Sequence, residues 1–347
     1  MASDVRKEAL AILSELEKER PATLDHILDT YRTANPGRPR RDKALLQALV
    51  FGILRSRNRL DWTIRHFSKT PFRKISPDIK NILRLGVYQI LYMDRVPASA
   101  AVNTAVDLAK QVAAPWTVKF VNGLLRNIAR NPDTVTFPDI TKNPVHALSV
   151  RKSLPEWLVQ RWLSRFDQDA CVQLCDALNT IPPLSLRTNT LKTIRSTLVL
   201  TLEAVGNATV RTAHAPEGIL LHGLQTDLQA VPGFAEGKFQ VQDEAAQLVA
   251  HTLALRPGLR VLDACAGLGG KTGHIAQLLE NKGEVVALES VEAKLAALEK
   301  EMQRLGISIV TPVRHDLTKL PDPAVFGTFD RILLDAPCSG LGVLRRN

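Results

Sequence analysis

The sequence predicts three folded parts in series: an all-α segment, a small α/β unit, and a doubly wound α/β domain on a parallel sheet. Three observations carry that reading. Through the first 130 residues apolar side chains recur at intervals of three and four, the period of a helix. From Gly258 the pattern becomes strand, turn and helix repeated, in RVLDACAG and LGGKTGHIAQLLE, EVVALES and VEAKLAALEKEMQRL, and finally FDRILLDAPC. Between them lies a shorter stretch that mixes the two periods. The 347 residues, 45% of them hydrophobic, suffice for two or three cores of ordinary size.

In the first segment, Ala44, Leu45, Ala48, Leu49, Gly52 and Ile53, and again Ile79, Ile82, Leu83, Gly86, Val87 and Ile90, each mark one apolar helix face. Proline-bearing breaks at Asn35 to Pro39, Ser76-Pro77 and Val96-Pro97 cut the segment into short helices, because proline lacks an N–H and its ring blocks the preceding turn. Charge is uneven along the chain. Residues 1–130 hold 23 Lys and Arg against 12 Asp and Glu, a net of +11, whereas residues 131–347 hold 22 against 23. Such a segment seeks polyanions, since neutralising phosphates releases their counterions. A basic helix face that merely meets solvent has the same composition. The clusters RPRRDK, RSRNR and RKISPDIK carry the excess. No run of eighteen apolar residues occurs, and MASDVRKEALAILSELEKER mixes charge into the first helix, unlike a signal peptide. A cytoplasmic protein without a membrane partner is expected.

Asn131 to Pro144 (NPDTVTFPDITKNP) is polar, proline-bearing and without period, and reads as a linker. Beyond it a helical stretch is predicted from Pro155 to Leu178, an alternating strand in PLSLRTNT, and a helix near Thr193 to Val205. Cys171 and Cys175 stand four apart on the first of these helices. That spacing serves a metal only if other ligands join, and two small buried side chains are the plainer reading. With Cys265 and Cys338 they form neither a disulfide framework nor a paired metal motif. The eight histidines, His274 and His315 among them, show no ligand spacing, so no metal is expected.

The chemistry gathers in the third part. In a doubly wound sheet a ligand binds at the carboxyl ends of the strands, where glycines allow close approach and a helix start offers free N–H groups. Gly267, Gly269 and Gly270 fall there, and Glu289 ends the next strand about 20 residues on, where an acid accepts hydrogen bonds from ribose hydroxyls. NAD or S-adenosylmethionine would fit these alone. Asp263, just ahead of the glycines, would set a carboxylate near the ligand, which suits a sulfonium or amino group and repels a pyrophosphate. Asp335-Ala336-Pro337-Cys338 ends a later strand facing the same crevice. Carbon 5 of a pyrimidine is a poor nucleophile until a thiolate adds at carbon 6. By spacing alone, Cys338 is a candidate for that thiol, and a small core cysteine is the alternative.

These residues carry a resemblance. RDKALLQALVFGILRSRNRLDWTI, NILRLGVYQILYMDRVPASAAVNTAVDLAK and FVNGLLRNIAR resemble the NusB-like RNA-binding domain. DACAGLGGKT resembles the cofactor turn, and DAPCSGLGVLRR the Pro-Cys motif, of the RsmB/Sun (NOL1/NOP2/Sun) RNA 5-methylcytosine methyltransferases, with PLSLRTNTLK and FQVQDEAAQLVA matching in order ahead of them. The resemblance implies a NusB-like domain at 1–132, a linker at 133–144, a small RNA-side α/β subdomain at 145–235 and a Rossmann-like methyltransferase domain at 236–347. It implies S-adenosylmethionine as cofactor, held by Cys265, Ala266, Gly267, Leu268, Gly269, Gly270, Lys271, Glu289, Asp316 and Asp335. The implied substrate is a cytosine of small-subunit (16S) ribosomal RNA, the implied state a monomer, and the candidate RNA contacts Arg38, Arg40, Arg41 and Lys43.

Three departures stand out. Leu268 replaces the usual proline of the turn, and Glu289 the commoner aspartate. In the family the attacking thiol comes from a Thr-Cys motif downstream of Pro-Cys, whose own cysteine helps to release product. No Thr-Cys pair occurs before Asn347. The resemblance therefore gives Cys338 a supporting role and places the nucleophile beyond the supplied sequence, with the methyltransferase domain incomplete and its last strand exposed. An RNA-binding assembly protein with a degenerate methyltransferase domain, or an NAD enzyme, are the competing readings.

Overall fold

The computed structural model describes residues 2–18, 23–35, 37–224, 226–319, 326–338 and 340, in two compact units that divide between Ile181 and Pro182. The first unit is helical: α1 (Ala2–Glu15), α2 (Leu24–Ala34), α3 (Arg40–Arg55), α4 (Arg57–Phe67), α5 (Pro77–Tyr92), α6 (Ala98–Val112), α7 (Pro115–Arg130), α8 (Pro144–Lys152), α9 (Glu156–Leu163) and α10 (Gln168–Asn179). Proline opens several of them. Pro77, Pro115 and Pro144 occupy the first helical turn, where a missing N–H costs nothing and the fixed φ is already helical.

Helix α5 lies at the centre, packed on α1, α3, α4, α6 and α7, and buries Ile79, Ile82, Leu83, Leu85 and Val87. It also buries Arg84, whose guanidinium donates to both oxygens of Asp61 at 2.7 and 2.8 Å, to Glu17 Oε1 at 2.7 Å and to Asn81 Oδ1 at 2.8 Å. Burial works against that charge, but the two carboxylates outweigh it and hold the Arg84 pKa above its ordinary value. On α3 the buried stripe is Leu46, Leu49, Val50 and Ile53. It is rotated from the expected face, and Ala44 and Ala48 are exposed. Small apolar residues carry a weak facing signal, and the large side chains decide the buried face.

The expected linker is held within the helical unit. Trp62 Nε1 donates to the Thr136 carbonyl at 3.0 Å, the Arg59 guanidinium sits 5.2 Å from the Phe137 ring centre, and Arg151 Nη2 donates to the Pro138 carbonyl at 3.0 Å. Helix α8 packs on α4, where Ser153 Oγ accepts from the Arg59 amide at 3.0 Å. The compact unit therefore runs on past residue 144, the limit expected for the linker. The single helix expected from Pro155 to Leu178 is two, because the Asp167 side chain accepts from the Ala170 amide at 2.7 Å and caps a new start at α10. Cys171 and Cys175 are fully buried beside Leu148, Leu154 and Val159, and burial pushes the Cys175 thiol up to about 12. They are core, as the plainer reading holds.

The second unit contains two sheets. The first has β1 (Leu184–Thr188), β2 (Ala208–Arg211), β3 (Gly218–His222) and β4 (Phe239–Val241), all pairings antiparallel, in the order β2-β3-β1-β4, with α11 (Arg195–Glu203) against β2 and β3. The second is parallel, in the order β7-β6-β5-β8, from β5 (Arg260–Asp263), β6 (Glu284–Glu289), β7 (Val310–Arg314) and β8 (Arg331–Leu333). Helices α12 (Glu244–His251), α13 (Gly270–Leu278) and α14 (Glu292–Leu305) accompany it. The predicted stripe on α14 holds at Leu295, Leu298, Met302 and Leu305, while Val291 is the exposed residue before the helix. Among the described residues β8 is the edge of this sheet, with Ile332 58% exposed and Leu334, just past the strand, 65% exposed, in line with the exposed last strand expected from the sequence.

Candidate active site

The segment after β5 is fixed at both sides before it turns. The Ala264 amide donates to the Leu333 carbonyl of β8 at 2.8 Å, and the Ala266 amide to the Leu288 carbonyl of β6 at 2.9 Å. The loop is thereby anchored across three strand ends at the carboxyl edge of the sheet. Gly269 then takes φ +84°, and a side chain there would run into Leu298 and Met302 of α14. Glycine is what lets the turn enter α13 while that helix lies close. Side chains at Gly267 and Gly270 would meet nothing within 4 Å, so the backbone there faces open space.

Around that space the structure gathers most of the predicted cofactor residues. Lys271, in the first turn of α13, forms an ion pair with Asp335, two residues past β8. Glu289, at the end of β6, is 10% exposed, and its Oε1 accepts the Val291 amide at 3.0 Å. Cys265 lies close enough to Asp263, Glu289 and Asp335 that burial first, and then those carboxylates, push its thiol pKa up. It is thus a protonated, unreactive thiol at neutral pH. Leu268 is 62% exposed at the tip of the turn. Asp316 lies just past β7, next to His315, whose amide donates to the Glu289 carbonyl at 3.1 Å, and its Oδ1 accepts the Thr318 amide at 3.0 Å and hydroxyl at 2.8 Å. Those bonds hold its carboxyl below the usual range. Cys338 is exposed, with the Gly340 amide 3.4 Å from its sulfur.

Asp263 is not the crevice carboxylate that its place in the sequence suggests. It is 1% exposed; Oδ2 accepts the Thr272 hydroxyl at 2.7 Å, while Oδ1 is sealed from solvent without a well-formed hydrogen bond. Burial raises its pKa, against the Thr272 hydroxyl and the nearby Cys265 amide. It therefore braces β5 to α13.

Arg187 is a further brace, which the strand pattern in PLSLRTNT did not single out. Buried on β1, it donates to the Gly270 carbonyl at 2.8 Å and to Gln240 Oε1 at 2.7 Å, and it also bonds Gln242. It ties the antiparallel sheet to Gly270, the first residue of α13. Burial pushes its pKa down to about 9, which leaves it charged at neutral pH.

The fold also brings together two histidines that the sequence left scattered. His251 Nε2 lies 3.0 Å and His274 Nε2 3.8 Å from Glu217 Oε2, a grouping loose enough to admit a metal ion. The buried guanidinium of Arg187 opposes a dication there, and the cluster is read as a neutral buried histidine beside a Glu–His pair. Burial first, then Arg187 and His251, push His274 down to about 2 from an ordinary 6.5. Below pH 6.5 the unfolded chain takes up a proton that the folded chain refuses, so stability falls with acid from pH 6.5 towards 2. At pH 5 the loss is about 2 kcal/mol at ~1.36 kcal/mol per unit. Urea unfolding at pH 7 and pH 5 should show that loss shrinking in His274→Gln. An unchanged pH difference would mean that His274 titrates freely.

In the helical unit the four basic candidates divide. Arg38 is drawn into a two-pronged pair with Glu8 and its side chain is only 10% exposed, so it has little to offer a phosphate. Arg40 and Arg41 are exposed in the first turn of α3, and Lys43 is half-buried.

Three stretches match known families: the NusB family at residues 3–130, the ferredoxin-like domain of RsmF/B-like methyltransferases at 154–226, and the 16S rRNA methyltransferase RsmB/F at 250–347. Over 342 residues the chain is 36% identical to the probable ribosomal RNA small subunit methyltransferase B of Synechocystis sp., covering 99% of this chain and 76% of that protein. The protein of that name in Bacillus subtilis is 34% identical over 344 residues, covering 99% and 74%. Among solved structures, the crystal structure of PH0851 superposes with a TM-score of 0.75 at 26% identity, over 99% of this chain and 77% of that one.

Proposed function

Because the chain belongs to the ribosomal RNA small subunit methyltransferase B family, we propose that it methylates carbon 5 of a cytosine in 16S ribosomal RNA with S-adenosylmethionine, in the cytoplasm. The observation that carries the cofactor is the turn at 264–270, open at Gly267 and Gly270 and ringed by Glu289, Lys271 and Asp335. Glu289 would accept the ribose hydroxyls, and the free N–H groups at the start of α13 would meet the ligand's carboxylate. Asp335 lies nearest to the Pro-Cys segment and, released from Lys271, can hydrogen-bond the base or the amino group.

When bound, the cofactor supplies a methyl group made electrophilic by its sulfonium. A thiolate adding at carbon 6 would make carbon 5 nucleophilic. That thiol is assigned to no residue of the sequence given. Cys338, exposed beside Asp335, takes the supporting role in product release, and Arg40 and Arg41 contribute phosphate contacts. Titration calorimetry with S-adenosylmethionine should give one binding event. No heat, with 16S RNA still bound, would sink the enzyme reading and leave an RNA-binding assembly protein.

A further inference from the structure

The helical unit contains a cleft of about 310 Å³ separate from the exposed Arg40 and Arg41. It opens between the end of α3, the start of α4, the last turns of α5, and α8 with α10. Its cations are Arg55, Arg59, Arg151 and Lys152, against one acid, Asp176, which is paired with Lys152. Its aromatic wall is Tyr88 and Tyr92, one turn apart on α5, with ring centres 5.3 Å apart and planes within 21°. The Arg59 guanidinium lies 5.7 Å from the Tyr92 ring centre, and Ile181 at the rim is 81% exposed.

Two physical features narrow the ligand. A surplus of guanidinium groups selects an anion, and arginine forks suit phosphate oxygens. A stacked aromatic pair with an arginine beside it selects a planar ring, because unpaired bases stack on aromatic side chains and on arginine planes. The volume sits at the lower end of the ~300–1,000 Å³ of ordinary ligand clefts, too small for a duplex and of a size for one nucleotide. The last turn of α8 supplies two of the cations, so helices outside the stretch that matches the NusB family help to build the cleft.

We infer that this cleft holds a single unpaired nucleotide of the RNA substrate, its base against Tyr92 and its phosphate between Arg59 and Arg151. The inference rests on the proposed RNA substrate and adds a recognition point at the opposite end of α3 from Arg40 and Arg41. Burial keeps the Tyr88 and Tyr92 hydroxyls protonated, so they remain neutral donors at any physiological pH.

The test is the affinity of the full chain for a fluorescein-labelled single-stranded RNA, measured by anisotropy across a salt series. Tyr92→Ala should weaken binding about 5- to 150-fold, the worth of one base stack, and Tyr92→Trp should restore it. Arg59→Glu should weaken binding and flatten the salt slope by about one or two phosphates. Cross-linking of a 4-thiouridine-substituted RNA to the unaltered chain should map to Tyr88 or Tyr92, which keeps the inference testable if the alanine variant misfolds. Wild-type affinity in Tyr92→Ala and Arg59→Glu, or cross-links confined to the first turn of α3 around Arg40 and Arg41, would overturn the cleft while leaving the RNA substrate standing. No RNA binding by the unaltered chain would instead sink the substrate reading itself. A free mononucleotide that competes as well as the oligonucleotide would also overturn the inference, making the cleft a small-ligand site.

Discussion

Replacing Arg84 by methionine is expected to cost the helical unit about 3–5 kcal/mol, the usual penalty for removing one partner of a buried ionic group. The side chain of Arg84 is 4% exposed, those of Asp61 and Glu17 are 12% and 18%, and four acceptor oxygens take its four hydrogen bonds. Methionine fills much of the same volume, so the loss reports the stranded Asp61 carboxylate rather than a cavity, while Glu17 keeps Arg57 and Asn81 as partners. Urea unfolding at neutral pH, followed by helical circular dichroism, measures it. Replacing Asp61 and Glu17 by leucine alongside Arg84→Met should recover much of the loss, because an apolar cluster of similar size often matches a buried ionic one. A loss below about 1 kcal/mol in the single variant would mean that water reaches the network, as it does in surface pairs.

That network shows what a sequence hides. The period of three and four located α5 because large apolar residues repeat along it, but an arginine in the same helix looks like a solvent contact until its partners are known. Asp61 and Glu17 lie 23 and 67 positions away. Arg187 is the same case in a strand: one cation inside PLSLRTNT, whose acceptors Gln240, Gln242 and Gly270 come from later segments. Local chemistry was easier to read. The glycines, Lys271, Glu289 and Asp335 lie at strand ends, where the alternation of strand and helix already places a ligand, and the fold draws them round one space. Asp263 was misjudged because strand position gives the direction of the chain but not the depth of a side chain, and the Thr272 bond that turns it inward crosses nine residues. Likewise, prolines in the stretch after α7 signalled loop chemistry, but only the fold shows that Trp62, Arg59 and Arg151 pin that loop down.

The contrast between the two acids after β5 and β6 gives the sharpest test of the cofactor site. Glu289→Ala should raise the dissociation constant for S-adenosylmethionine about 10- to 150-fold, since charge-assisted hydrogen bonds contribute roughly 1.5–3 kcal/mol. Its carboxylate is partly reachable, with Oε1 held by the Val291 amide and Oε2 3.9 Å from Lys294. Glu289→Asp keeps the charge but shortens the reach, and should fall between the two. Asp263→Asn should weaken binding less, because the carboxylate is sealed. It should also raise the melting temperature of the ligand-free chain, since it removes a buried charge with one oxygen unpartnered. Sign and order both matter. Stability lost on Asp263→Asn would mean that the ionised carboxylate holds the turn together, and equal losses of affinity from both variants would mean that the ligand reaches Asp263 itself. Full affinity in Glu289→Ala would remove the ribose from β6, and with it the assignment of this crevice to an adenosyl cofactor.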